Sequence, residues 1–177
     1  MFGLIALLIA AQAPQPTFDY TVFSGCSDLT AVVANATWAD VLRIDVPLMT
    51  RSRGSDGRTT PAGPVPPGTH EYDLADAMSG ARSSIDLFRD RGVGPCGDVV
   101  MPTAAVWKAV SGRVTVTVRA LETPLDRCPP ASRCHGREYY ADVRLVDAVF
   151  EGPNGQRTRL PKPLMFTILG GYAFGPP

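Results

Sequence analysis

The side chains with the widest chemical reach in this chain are its four cysteines and two histidines. Cys128 and Cys134 bracket Pro129-Pro130-Ala131-Ser132-Arg133, and His135 follows directly. One reading gathers Cys128, Cys134, His135 and the distant His70 round a metal ion. Zinc sites, however, show two closely spaced ligand pairs, and only one pair is present here. The spacing favours a disulfide-closed loop, and no metal and no cofactor is expected. Cys26 and Cys96 then form the second bridge, the least entangled arrangement of an even set. The chain-entropy relation gives about 2.4 kcal/mol for the short loop and about 4.4 kcal/mol for the long one. Pro129 and Pro130 stiffen the short loop further, which cuts the ordering cost of binding. Arg127, Arg133 and His135 flank it with donors suited to carboxylate or phosphate, so they are the candidate binding residues. The competing account is a loop stapled only to hold a strand connection.

Catalytic chemistry finds less support. A Ser or Cys nucleophile needs a base within reach and a group to orient that base, and only His70 and His135 are on offer. No Gly-x-Ser-x-Gly elbow occurs, and Ser27-Asp28 reads as a turn or cap. Asp142 and Asp147 face opposite sides of an unbroken strand; a slip in that strand would bring them to one face, where solvated carboxylates are the plainer account. No glycine-rich phosphate cradle opens a helix. Arg51, Arg53 and Arg58 offer anion contacts on a stretch with little to hold it in place. No catalytic residue is assigned.

These residues need a scaffold, and composition bounds it. Acidic and basic side chains balance at 17 each, against the concentrated positive surface a nucleic-acid partner requires. Gly and Pro, also 17 each, suit short strands joined by turns better than helical bundles. Phe2 to Ala11 is an apolar run too short to span a bilayer, and it fits the central region of an export signal over 1–13. Cleavage after Ala11 avoids Pro14. No membrane span is expected. An even cysteine set agrees with an oxidising compartment, periplasmic or secreted. Cys26 is separated from the apolar run by Pro14, Pro16 and Asp19, which argues against lipid attachment there. Asn35-Ala36-Thr37 matches a glycosylation acceptor but reads as a plain turn.

The remaining chain, 14–177, reads as one domain. Phe18 to Phe23 alternates as a first strand, and Leu29 to Ala34 and Val41 to Val46 follow, joined by Asn35-Ala36-Thr37 with Trp38 packing at the turn. The Pro/Gly-rich stretch 51–68 is expected to be a flexible surface loop without a regular hydrogen-bond ladder. Thr69 to Arg91 fits either a helix with Leu74, Met78, Ala81, Ile85 and Phe88 on one face, or a hairpin turning at Ser79-Gly80. Gly80 and Ser83-Ser84 would weaken the helix, so the hairpin is preferred. Pro102 disfavours a central strand over Val99 to Val110, leaving an edge or irregular segment that enters the core at Val106 and Trp107. Val114-Thr115-Val116-Thr117-Val118 alternates at period two, the pattern of a half-buried strand. Tyr139 to Phe150 alternates as well, but its phase breaks at Asp147, as a β-bulge would make it. Gly152-Pro153-Asn154-Gly155 turns the chain into Arg157 to Leu160, and Leu164 to Leu169 is the last strand. The fold expected is all-β, an antiparallel β-sandwich of broadly immunoglobulin-like architecture with room for one short helix.

The run Ala109-Val110-Ser111-Gly112-Arg113-Val114-Thr115-Val116-Thr117-Val118, the Cys-bearing turn before it and Phe150-Glu151-Gly152-Pro153-Asn154-Gly155-Gln156 after it resemble small exported proteins of Gram-negative bacteria. The resemblance covers the C-terminal half. It implies an exported β-sandwich and carries over no active site. Two functional classes follow: a non-catalytic envelope module that binds a protein or glycan partner or serves structurally, and a hydrolase or metal-dependent enzyme whose site is assembled from distant residues. A pocket holding His70, His135 and carboxylates would favour the second.

Overall fold

A computed structural model describes residues 13–26, 29–48, 51–53, 59–61, 67–89, 102–120 and 139–170. The expected export signal therefore lies, but for Ala13, outside the described residues. So do Cys96, Arg127, Cys128, Arg133, Cys134 and His135, and of Cys26 only the backbone is described.

The fold is all-β and antiparallel, as the alternating runs predict. Its strands are β1 (Val22–Cys26), β2 (Thr30–Ala34), β3 (Asp40–Asp45), β4 (Arg51–Arg53), β5 (Thr59–Pro61), β6 (Gly68–Asp73), β7 (Arg82–Phe88), β8 (Thr103–Ala120), β9 (Tyr139–Glu151), β10 (Arg157–Arg159) and β11 (Leu164–Gly170). Helical structure among the described residues is confined to two 3-10 turns, Ala77–Ser79 and Pro153–Gly155.

Two long strands organise the rest. β9 pairs along its full length with β8 from Lys108 to Ala120, and each strand has two different neighbours on its other edge. The first half of β8 pairs with β7, which leads on through β3 and β2 to β1. Its second half pairs with β6. The first half of β9 pairs with β11, and its end with β10. Two layers result, joined through β8 and β9. They face one core in which Ala31, Val33, Leu42, Ile44, Ile85 and Trp107 meet Val114, Val116, Val143, Leu145, Phe150 and Ile168. Burying each Leu, Ile, Val or Phe side chain there contributes roughly 1.5–3 kcal/mol.

The change of layer is written in burial. In β8, Ala105 and Trp107 point inward, and then Val114, Val116 and Val118 do, so the phase has shifted by one. In β9, Tyr139, Ala141, Val143 and Leu145 are buried, followed by Ala148 and Phe150. The register accounts for both shifts: Val110 is extra between Ala109 and Ser111, and β9 advances from Val149 to Val146 while β8 moves only from Ser111 to Arg113. Asp147 carries the second bulge at φ 53°, in the left-handed region that Asp tolerates better than most side chains.

Several expectations are corrected. The first strand begins at Val22, not Phe18. Phe18 stands at φ 58°, and the segment from Pro14 to Tyr20 bonds to side chains instead of a ladder. Pro14 and Pro16 have no N–H to give a ladder. Backbone pairing joins Arg51–Arg53 to Thr59–Pro61, so the stretch 51–68 does carry a short two-stranded ladder at those residues. Three residues a side need few N–H donors, and Pro61 comes last in its strand.

Of the 69–91 segment, the described residues to 89 form two strands joined by a short 3-10 turn, with no long helix, yet they are no hairpin. β6 and β7 run in the same direction, end to end along one edge of β8. Residues 74–81 step over the place where β8 bends, and the Leu74 amide donates to the Gly112 carbonyl there at 2.9 Å. Asp76 caps the small turn through the Met78 amide, and Gly80 ends it at φ 71°. Finally, β8 starts at Thr103 with β7 as its one ladder partner among the described residues as far as Trp107, the edge position expected for this segment, and from Lys108 it also pairs with β9. Pro102 sits just before it, where the missing N–H costs nothing, and Val106 is half-buried while Trp107 is the residue in the core.

Candidate functional site

On the outer face of the layer made by β6, β8, β9 and β11, side chains stand in rows set by strand register. Arg119, Tyr140 and Leu169 form one row. Thr69, Thr117, Asp142 and Thr167 form the next, and Glu71, Thr115, Arg144 and Met165 the third. Asp73, Arg113 and Val146 form the last, beside the β9 bulge.

Beyond that last row the bulge opens a cleft of about 530 Å³. Arg113 from β8 and Arg144 from β9 make its floor together with Val146 and Asp147. Arg159, the last residue of β10, and the connection Leu160-Pro161-Lys162-Pro163 make its wall. Leu160 is buried, and its amide donates to the Ala148 carbonyl at 2.9 Å, so the wall is anchored where it leaves β10. The two prolines restrict the backbone on either side of Lys162.

Four cations and one carboxylate therefore line a single concavity. Asp147 is engaged by Arg159 Nη2 at 3.2 Å in a solvent-exposed pair, which adds little stability. Arg113, Arg144 and Lys162 have no ion-pair partner among the described residues. Guanidinium groups from three different strands offer planar, bidentate donors to a carboxylate, phosphate or sulfate. What the cleft can do chemically is hold an anion.

The rows next to it are already knitted. Arg119 grips Asp142 through two bonds of 2.9 and 3.0 Å, and Thr167 donates to the same carboxylate at 2.6 Å. These bonds hold the Asp142 carboxyl below its ordinary range. Arg119 also lies over the Tyr140 ring, 5.7 Å from its centroid. Thr69 and Thr117 share a hydroxyl bond of 3.1 Å.

The residues singled out by sequence fall as follows. Arg127, Arg133 and His135 lie outside the described residues, as does the bridge proposed between Cys128 and Cys134. Arg58 does too, and only the backbone of Arg51 and Arg53 is described. His70 faces the core opposite Val116 on β6, and its Nε2 is buried with no hydrogen-bond partner among the described residues. The bulge does bring Asp142 and Asp147 to one face. Five residues of strand still keep them on the order of 15 Å apart, too far for a carboxylate pair to share a bond. Among the described residues no group of three or more His, Cys, Asp or Glu is placed to hold a metal ion, and no helix is long and apolar enough to cross a membrane.

Sequence reading missed the four cations of the cleft. The break of phase at Asp147 was the available signal, since a bulge opposite Arg113 and beside Arg144 opens a concavity on the outer face. No family model, curated protein or solved structure matches the chain.

Proposed function

We propose that this is a non-catalytic, exported binding module of the cell envelope, periplasmic or secreted, and that its ligand presents negative charge to the cleft at the β9 bulge. One observation carries the reading: Arg113, Arg144, Arg159 and Lys162 converge on one concavity against the single carboxylate of Asp147. In a chain whose charges balance overall, that concentration is local and not a general basic character. The wall is anchored at buried Leu160 and stiffened by Pro161 and Pro163, so little ordering opposes binding. Export is supported by the apolar leader sequence and the even cysteine set.

Calorimetric titration of the mature chain with glucuronate and inorganic phosphate tests the reading. Binding should weaken as salt rises, and each of Arg113→Ala and Arg144→Ala should cost about tenfold in affinity, the scale of one hydrogen-bonded charge. These side chains are exposed, so thermal stability should stay within about 0.5 kcal/mol of the parent. No binding of either anion, or binding indifferent to all four cations, would sink the proposal.

A further inference from the structure

We infer that the ligand is an extended acidic oligosaccharide, anchored by one carboxylate in the cleft and laid along the outer face of β8 and β9 as far as Tyr140. The inference rests on the anion-binding reading and deepens it.

The surface leading out of the cleft is a sheet face, not an edge. A peptide gains most of its affinity on a sheet from main-chain hydrogen bonds, and those are available only at an edge. A face offers side chains alone. Along β8 and β9 between the cleft and Tyr140 they include the hydroxyls of Thr115 and Thr117, the carboxylate of Asp142, and the ring of Tyr140, which is 40% exposed. That set matches a ligand rich in hydroxyl groups with apolar ring faces. Hydroxyls exchange bonds with Thr and carboxylate oxygens, and a sugar's C–H face rests against an aromatic ring.

Position along the strand sets the length and the charge pattern. Arg144 and Tyr140 share the outer face of β9 four residues apart, about 13 Å of strand. A single sugar cannot touch both. Asp142 lies midway, and it already holds the Arg119 guanidinium through two bonds, so among the described residues no unpaired cation stands there to hold a second ligand carboxylate. Charge must therefore sit at the cleft, with a neutral ring over Asp142. An alternation of uronic acid and neutral amino sugar satisfies both demands. Arg119 over one side of the Tyr140 ring holds it in place before the ligand arrives.

The test titrates the mature chain with glucuronate, with alternating glucuronate and N-acetylglucosamine di-, tetra- and hexasaccharides, with neutral chitotetraose and with oligoglutamate. Affinity should rise by about tenfold from glucuronate to the tetrasaccharide and then level off. Tyr140→Ala and the strand-preserving Tyr140→Thr should each erase that gain while leaving glucuronate binding unchanged. Chitotetraose should bind weakly. If glucuronate binds but the tetrasaccharide binds no better, or if both Tyr140 variants are silent, the extended-ligand inference falls and the anion site stands. Tighter binding of oligoglutamate than of the tetrasaccharide would overturn it in favour of an acidic peptide. If nothing anionic binds, both readings fail together.

Discussion

Asp40 shows how one side chain can replace a strand. It is 3% exposed at the start of β3, a position where an unpartnered carboxylate would be costly. The Thr17 amide donates to Oδ2 at 2.6 Å and the Thr17 hydroxyl to the same oxygen at 2.9 Å, while Tyr20 Oη donates to Oδ1 at 3.0 Å. Burial, with the neighbouring Asp40 charge, pushes the Tyr20 phenol well above its ordinary range. Asp40→Ala takes the acceptor from half-buried Tyr20 and from exposed Thr17 and should cost about 1–3 kcal/mol in urea denaturation. Tyr20→Phe, which leaves Asp40 with Thr17, should cost about 1 kcal/mol. Sequence reading missed this because Phe18, Tyr20 and Val22 alternate like a strand. Periodicity records which positions are apolar and says nothing of what satisfies the backbone between them. Asp86 gives a second residue-scale expectation. Burial, opposed by Arg43 and reinforced by Asp45, raises its carboxyl above the ordinary range. The folded chain therefore holds that proton more tightly than the unfolded one. Its stabilising share is full below the unfolded value and is lost as pH rises through the folded one. Relative to the parent, Asp86→Asn should gain Tm between pH 4 and pH 7; an unchanged difference would contradict the cause assigned.

At the scale of elements, the double bulge of β8 and β9 does the work that places the cleft. Without it both long strands would stay in one layer, and Asp147 would point into the core. Gly112 is where β8 makes the bend, at φ 129°, and a Cβ there would lie 2.7 Å from the Ala148 Cα. Gly112→Ala thus combines backbone strain with a clash against backbone, and it should cost about 2–4 kcal/mol. Gly155→Ala, also at positive φ but facing open space, should cost only about 1 kcal/mol. Comparable losses at both sites would mean that strain alone, and not the close approach of β9, sets the penalty. The β9 half of this device was legible in sequence, because Asp147 interrupts a run of buried positions. The β8 half was hidden: Val106, Trp107, Ala109 and Val110 are all apolar, so a shift of phase leaves no mark. The pairing of β6 and β7 was hidden for a different reason. Local alternation shows that each is a strand, but both choose a partner that comes later in the chain, and only the assembled core reveals it.

Over the whole molecule, the chain must bring its first strand back against its last. β1 pairs with β2 on one side and lies against β11 on the other. Phe23 of β1 stacks on Phe166 of β11 with centroids 5.4 Å apart, and this pair covers the seam from one side. At Gly25 the approach is closest: a Cβ would lie 2.5 Å from the Leu169 carbonyl oxygen and 3.0 Å from Ile168 Cδ1. Glycine is used there for lack of room. Opening this seam would expose the core edge at Ile168 and free both strands to pair with other chains, the usual hazard of an unprotected edge. Gly25→Val should therefore destabilise by about 1–3 kcal/mol through overpacking. The variant should also self-associate at concentrations where the parent does not. Phe23→Ala would weaken the same seam by removing the stack and without forcing the strands apart. It should cost about 1 kcal/mol beyond the lost burial, with little association. Light scattering alongside urea titration separates the two effects. A Gly25→Val chain that loses stability yet stays monomeric would show that β11 and the layer behind it hold closed without β1, and that the approach at Gly25 serves packing alone.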